Sequence, residues 1–242
     1  EDPSRGFLPS SGRIIQYEEP PRNTQVRVDS GIMEGGEVNM FYDQMIAKLC
    51  THGSNRDEAI ELMKQALGEY VIAGISHNIS FLHAIMDNPK FMKGDISTGF
   101  IAQEYPEGFS GAEVTSEINQ IFLAVTLFMH MAEVTRAVGI TKNIEDQIRK
   151  VGTRWVVNID ETPFPAILTP ITDGYYIRQG SQRIYIRSSW TIGEPLFRGN
   201  VNGIDVVLTV KPELNSYKLI YSGREVPAYV RSPRVAELEQ FM

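Results

Sequence analysis

The chain holds few residues whose types and spacing could do chemistry. Its four histidines, His52, His77, His83 and His130, have no metal-ligating spacing among themselves or with the single cysteine, Cys50. His130 lies inside an apolar run and reads as a hydrogen-bonded core histidine, while His52 reads as a surface or interface residue. Cys50 cannot form an intrachain disulfide. In the run Met45-Ile46-Ala47-Lys48-Leu49-Cys50 it reads as a small buried hydrophobe and not a nucleophile. Glu34, Glu37 and Asp43 are close enough in sequence to form an acid/base group, although a solvated hairpin tip is the simpler account. Tyr42-Asp43 with Lys48 reads either as a catalytic pair or as the polar edge of a strand. Gly35-Gly36 lacks the lysine and following helix of a phosphate-binding loop. Met129 and Met131 belong to an apolar stripe. These residues alone mark no active site.

The composition narrows the classes. A formal charge of -7 over 242 residues argues against a general nucleic-acid binder, which needs a basic face to neutralise phosphates. The longest apolar run, residues 121–132, is interrupted by Thr126 and His130 and falls short of the about 20 residues that cross a bilayer. Glu1-Asp2-Pro3 opens into a turn with neither a charged start nor an apolar stretch, so no signal peptide is expected, and the missing initiator Met suggests an excised segment.

The elements change character near residue 110, at Tyr105-Pro106-Glu107-Gly108-Phe109-Ser110-Gly111. Two domains are expected, 1–109 and 110–242. The first is α+β. Residues 12–17, 25–29, 37–42 and 70–75 read as strands. Asn55, with Glu58 three residues on, has capping-box spacing for a helix reaching about residue 70, where Ile60, Met63, Ala66 and Leu67 follow the i, i+3, i+4 rule. A second helix is expected over 78–86.

In the second domain Ser110 and Glu113 have capping-box spacing for a long helix over 113–138, which Gly139 can end. Ile121, Phe122, Leu123, Val125, Leu127, Phe128, Met129 and Met131 point in nearly every direction around its axis, so this helix must be buried all round. Eight strands follow, at 155–159, 166–171, 175–178, 183–190, 196–201, 205–211, 216–221 and 226–230. The turn signals Asp173-Gly174, Gln179-Gly180, Asn202-Gly203 and Ser222-Gly223 favour antiparallel hairpins. The pattern predicts an antiparallel β-barrel of about eight strands wrapped around one apolar helix, with a closing helix over 233–242.

Particular motifs carry a resemblance beyond this. Glu1-Asp2-Pro3, Phe7-Leu8-Pro9-Ser10-Ser11-Gly12-Arg13-Ile14, Val26-Arg27-Val28-Asp29-Ser30-Gly31, Tyr42-Asp43-Gln44-Met45-Ile46-Ala47-Lys48-Leu49, Gly74-Ile75-Ser76-His77-Asn78 and Gly94-Asp95-Ile96-Ser97-Thr98 run collinear with the C-terminal part of biotin carboxylase domains. The remainder resembles the subunit-joining BT domain of the propionyl-CoA carboxylase family, and Arg234 to Met242 resembles the segment just before that family's biotin carrier domain.

The resemblance implies a segment of a two-step ligase. In that family one subunit carboxylates biotin using ATP, Mg²⁺ and bicarbonate, and a carboxyltransferase β subunit passes the carboxyl group to propionyl-CoA. The family's ATP-grasp lysines, metal-binding glutamates, general base and biotinyl-lysine lie outside this segment, so no catalytic residue carries over and no cofactor is expected on it. Ser97 and Thr98 fall where the family lines the adenine. Arg27 falls where bacterial biotin carboxylases make a dimer contact, with an exposed strand residue as the alternative. The connection 140–153 corresponds to the family's hook for the β subunit, with Ile140, Ile144, Ile148 and Val151 as apolar anchors; packing back onto the barrel is the other reading.

The implied partners are the carboxyltransferase β subunit and the biotin carrier domain of the same chain, with no nucleic acid and no membrane. The location would be cytoplasmic in a bacterium and the mitochondrial matrix in a eukaryote. Methylcrotonyl- and acetyl-CoA carboxylases are the related alternatives. A free-standing ligand-binding barrel is a further one, against which the apolar helix argues by filling the cavity. The isolated 242-residue chain is expected to release no ADP in response to biotin above a blank, checked by a coupled ADP assay.

Overall fold

The computed structural model describes residues 1–39, 45–142 and 152–239, without the side chains of 140–142. The chain divides into two compact units, residues 1–113 with 220–225, and residues 114–219 with 226–242.

The first unit mixes short strands and helices. Its strands are β1 (Gly12–Arg13), β2 (Gln16–Glu18), β3 (Val26–Ser30), β4 (Glu37–Val38), β5 (Ala47–Thr51) and β6 (Val71–Ala73). They pair antiparallel as β1 with β4, β2 with β6 and β3 with β5. The single strand expected over 12–17 is therefore two. The chain changes partner between them: the Ile14 amide donates to Gly36 O at 2.9 Å, and the next amide, Ile15, donates to Ala73 O at 2.8 Å. Ile14 is fully buried at this crossover. Of the strand expected over 37–42, Glu37–Val38 is formed and residues 40–42 lie outside the described residues.

Helix α1 (Arg56–Glu69) starts where its cap predicts. The Asn55 side chain accepts from the Glu58 amide at 2.9 Å, and the Glu58 carboxylate reaches back to the Ser54 amide at 2.6 Å. Its buried face is Ile60, Ala66 and Leu67. Helix α2 (Ile79–Asp87) buries Phe81, Ala84 and Ile85. Two short helices that the periodicity does not reveal follow, α3 (Pro89–Lys93) and α4 (Phe100–Glu104). They close an aromatic cluster in which Phe81 meets Phe7, Tyr105 and Phe109 edge-on, with ring centroids 4.9, 5.1 and 5.2 Å apart.

The second unit is a closed eight-stranded antiparallel barrel around helix α5 (Ser116–Lys142). In chain order its strands are β7 (Arg154–Ile159), β8 (Thr162–Ile171), β9 (Gly174–Gln179), β10 (Gln182–Ser188), β11 (Leu196–Val201), β12 (Ile204–Pro212), β13 (Tyr217–Tyr221) and β14 (Arg224–Arg231), and β14 pairs with β7 to close the ring. Helix α6 (Pro233–Glu239) follows. Every residue from Ile121 to Met129 is buried, which exhausts the circumference of α5. Phe128 packs edge-on against Tyr175 of β9 and Phe197 of β11, at 5.7 and 5.5 Å. The one hydroxyl in this run is satisfied within the helix, since Thr126 Oγ1 donates to Phe122 O at 2.6 Å. By length and composition α5 could cross a membrane; here it is the filling of the barrel.

Both ends of α5 depart from expectation. The cap is Thr115, whose hydroxyl accepts from the Ile118 amide at 3.2 Å, so the Ser110–Glu113 box is unused. Gly139 does not end the helix, which continues to Lys142. A helical glycine costs only about 1 kcal/mol relative to alanine and acts as a stop only when the chain turns left-handed there. Helix α6 begins at Pro233 as expected; residues 240–242 lie outside the described residues.

β8 begins four residues before its expected start at Ala166. Its hairpin with β7 turns through Asp160 and Glu161, both left-handed at φ 48° and 65° without glycine. The turn Asn202-Gly203 has the expected double positive φ, 52° and 88°. Gly174 plays a different part from the one expected: it is the first residue of β9, and the turn is Thr172-Asp173. A Cβ at Gly174 would lie 2.0 Å from Ile186 O, so the closeness of β9 to β10 requires glycine.

Replacing Phe128 by alanine is expected to cost about 3–5 kcal/mol, the range for large core aromatics, measured by urea denaturation. A surface helix would lose under about 1 kcal/mol.

Candidate functional site

Ser97 and Thr98 stand at the exposed tip of a clasp made by α3 and α4. Asn88 builds its base: the side-chain oxygen caps α3 by accepting from the Lys90 and Phe91 amides at 2.9 and 3.3 Å. Its side-chain nitrogen donates to Glu104 at 3.0 Å. Lys90 Nζ meets the same carboxylate at 2.6 Å. These donors hold the Glu104 carboxyl below its ordinary range, Lys90 first and Asn88 second. Gly94 closes α3 in the left-handed region, and Phe100 anchors α4 in the core. In the loop between, Ser97 Oγ accepts from the Gly99 amide at 3.2 Å and Ser97 O from the Phe100 amide at 3.0 Å. Two hydroxyls are thus offered to solvent from a fixed backbone. A separate, mainly apolar cavity of about 460 Å³ lies among β5, α1 and α2, lined by Leu49, Met63, Leu67, His77 and Met86; Ser97 and Thr98 do not line it.

Arg27 lies on the outward face of β3, opposite Cys50 of β5. Its guanidinium sits 3.3 Å from Asp29 and 3.8 Å from Cys50 Sγ. Cys50 is exposed, which corrects its expected burial. Strand alternation is the reason: Ala47, Leu49 and Thr51 turn inward, so Lys48 and Cys50 turn out. Glu34 and Glu37 are exposed, as a solvated tip requires, while Tyr42 and Asp43 lie outside the described residues. Among the described residues no group of His, Cys, Asp and Glu could hold a metal ion.

His52 is exposed. His130 is half-buried on α5, where its ring meets Trp155 edge-on at 4.7 Å. Its Nε2 is buried without a hydrogen-bond partner among the described residues, which corrects the expected hydrogen-bonded histidine. Burial pushes its pKa down, so the neutral ring is favoured against the aromatic wall.

Of the four anchors expected in 140–153, Ile140 is placed on the last turns of α5, without its side chain, and Ile144, Ile148 and Val151 lie outside the described residues. No hydrogen bond or ion pair among the described residues joins Arg27 to Ser97 or Thr98. They stand on separate elements.

Sequence reasoning missed a charged cluster that joins α1 to α2. Asp87 accepts from Lys64 Nζ at 2.8 Å and lies 3.4 Å from His83 Nδ1, and Lys64 also meets Glu61 at 3.1 Å. Burial alone would raise the Asp87 carboxyl; His83 and Lys64 outweigh it and hold it down at about 2. The i, i+4 spacing of His83 and Asp87 was the available signal.

Residues 1–103 match the family model of the biotin carboxylase C-terminal domain, and residues 122–242 match that of the propionyl-coenzyme A carboxylase BT domain. The chain belongs to the propionyl-CoA carboxylase BT-domain family. The propionyl-CoA carboxylase alpha chain of Ruegeria pomeroyi is 38% identical over 263 residues, covering 100% of this chain and 38% of that relative. The mitochondrial alpha chain of Mus musculus is 34% identical over 249 residues, covering 100% of this chain and 34% of its own length. That of Homo sapiens is 34% identical over 264 residues, covering 96% and 36%. The chain therefore spans little more than a third of these curated relatives. Among solved structures, the biotin carboxylase domain dimer of Hydrogenobacter thermophilus 2-oxoglutarate carboxylase, in complex with MgADP, ADP and bicarbonate, is 35% identical. It covers 47% of this chain and 24% of its own, with a TM-score of 0.43. In this family member, Ser97 and Thr98 fall within the biotin carboxylase match and the barrel within the BT match.

The Asp87 cluster sets an acid limb for stability. Its folded pKa of about 2 lies below the ordinary 3.8, so its contribution is complete above the ordinary value and is lost as pH falls toward 2. Asp87→Asn is expected to lower the melting temperature at neutral pH and to flatten its fall across that window, read by calorimetry in a pH series.

Proposed function

We propose that this chain is a segment of the ATP-dependent biotin carboxylase subunit of a propionyl-CoA carboxylase, and that it acts as scaffold and as the module docking that subunit to the carboxyltransferase β subunit. The observation that carries the proposal is a barrel whose interior is filled by α5, in the part of the chain that matches the BT domain. Phe122, Leu127, Phe197, Leu208 and Leu219 fill the interior with essentially no exposure, which supports a packed barrel over a ligand-holding one. Its work lies on its outer surface and in its connections. The continuation of α5 to Lys142 supports a role for the connection after it, with Ile140, Ile144, Ile148 and Val151 as anchors.

In the whole subunit ATP, with Mg²⁺, would activate bicarbonate and biotin would carry the carboxyl group. ATP would give ADP and phosphate, and the β subunit would convert propionyl-CoA to methylmalonyl-CoA. Ser97 and Thr98 fit a modest part in this. A rigid loop offering two exposed hydroxyls can line one edge of the adenine, although the loop alone encloses nothing. Arg27, exposed and tied among the described residues to Asp29 and Cys50, is available for a contact between subunits. The biotin carrier domain of the same chain would be the other partner. Matches to propionyl-CoA carboxylase alpha chains over the whole of this chain support that substrate. The methylcrotonoyl-CoA carboxylase of Dictyostelium discoideum matches only 42% of this chain. The setting would be the cytoplasm in a bacterium or the mitochondrial matrix in a eukaryote.

The test is a pull-down of the cognate β subunit. The wild-type chain is expected to retain it, and Ile144→Asp with Ile148→Asp is expected to weaken retention about tenfold or more, after circular dichroism shows the barrel intact. Undiminished retention by the folded double variant removes this connection from the interface.

A further inference from the structure

The barrel register gathers three arginines that are scattered in the sequence. Arg154 of β7 faces Ile167 of β8, Ile167 faces Arg178 of β9, and Arg178 faces Arg183 of β10. Residues directly opposite in antiparallel strands share a face. Ala166, Leu168, Ile177 and Ile184 are buried inside the barrel, so the alternating residues, including this row, point outward. All three arginines are exposed, and none forms an ion pair among the described residues. Arg178 and Arg183 are directly opposed like charges, which destabilise a sheet. Folding gains nothing from that arrangement.

Aromatic residues adjoin the row. Two residues along the same strands, Tyr176 and Tyr185 face each other with ring centroids 5.5 Å apart, and Tyr176 is 49% exposed. Tyr185 donates to Asp173 at 2.8 Å, and Arg187 lies 3.9 Å from the same carboxylate. Asp173 is thus already engaged, away from the row. On the other side opens a groove of about 870 Å³ between the strands and α6. Arg154 and Arg178 stand on its sheet side, Pro163, Pro165 and Ile167 supply outward apolar surface, and Glu161, Glu237 and Glu239 also border it, the last paired with Arg231 at 2.8 Å. Pro163 and Pro165 lie where β8 pairs only with β7, so the groove borders a strand edge that cannot donate these two hydrogen bonds to an added strand.

Arginine and tyrosine are the residues that interfaces concentrate. A row of unpaired positive charge on a chain of net charge -7 selects an acidic partner surface. The glutamates at the groove's border disfavour any anion in the groove itself, so the acidic groups of a partner belong on the row and only an uncharged side chain enters the groove. We propose that the outer face of β8–β10, from the Arg154–Arg178–Arg183 row to the Tyr176–Tyr185 pair, is a second docking surface. Its occupant is an acidic segment of the carboxyltransferase subunit that places an apolar side chain in the groove. The proposal rests on the docking reading above and adds a surface separate from the connection 140–153.

The experiment titrates the cognate carboxyltransferase subunit against the 242-residue chain by calorimetry, at about 50 mM and about 500 mM salt, conditions on either side of strong screening. Arg178→Glu with Arg183→Glu is expected to weaken binding about tenfold or more at low salt and to flatten the salt dependence. Arg154→Glu, on a different strand, should weaken it in the same direction. Affinities within twofold of wild type for both variants, with unchanged circular dichroism, overturn the proposal. If the connection variant loses binding while the arginine variants keep it, the docking reading stands and this surface falls. A wild-type chain that does not bind the subunit removes both. Inorganic pyrophosphate binding to the wild type but not to Arg178→Glu/Arg183→Glu, without any effect of the variants on the subunit, makes the row a phosphate site and also overturns the docking assignment.

Discussion

A helix that is apolar around its whole circumference has no stable place at a surface. That constraint organises the second unit. From Ile121 to Met129 no direction around α5 can face water, so eight strands must close a ring about it. Closure also pairs most of the sheet edge that strands of this length would otherwise expose, leaving the start of β8, where Pro163 and Pro165 stand, paired on one side. The polar groups inside are kept few. Thr126 returns its hydroxyl to its own helix, and the half-buried His130 is set against Trp155 in the form that burial favours. Toward the emergent end of the helix Tyr217 donates its hydroxyl to Glu133, and burial first, then that bond, raises the tyrosine well above its ordinary value.

Because side chains fill the barrel, function is displaced outward. Strand alternation leaves every second residue of β9 and β10 free of packing duty, and apart from Gly174 those positions hold arginine and tyrosine. The connections are released in the same way. Turns such as Asp160-Glu161 adopt left-handed geometry without glycine because the paired strands on either side determine their backbone.

The first unit works by a different economy. Among the described residues its strands pair two at a time, and helices and polar ties share the holding. Asn88 serves one helix with its oxygen and another, through Glu104, with its nitrogen. Asp87 links α1 to α2 through Lys64. Tyr17 joins Ser30 and Tyr70 through hydroxyl contacts of 2.5 Å each, and burial with that contact raises the Tyr70 phenol. Of these ties, those of Asn88 hold the two helices that flank the Ser97–Thr98 tip.

Much of this was legible in the sequence, for a local reason. The encircling hydrophobicity of α5, the Asn55 cap and the Asn202-Gly203 turn are each set by neighbours a few residues away, and each appears as read. The motifs from Glu1-Asp2-Pro3 to Thr98 likewise marked the family, because family likeness resides in residue order. What failed was decided by partners distant along the chain. Cys50 looked buried because its neighbours are apolar, yet strand phase against Val26 and Val28 turns it outward. Residues 12–17 looked like one strand until two different partners claimed its halves. The arginine row could not be read at all: Arg154, Arg178 and Arg183 become neighbours only when β7 to β10 adopt one register. Local patterning determined which elements form and which face is apolar. Pairing across the closed sheet decided which side chains meet on its outer surface, because register is a long-range property that no stretch of sequence contains.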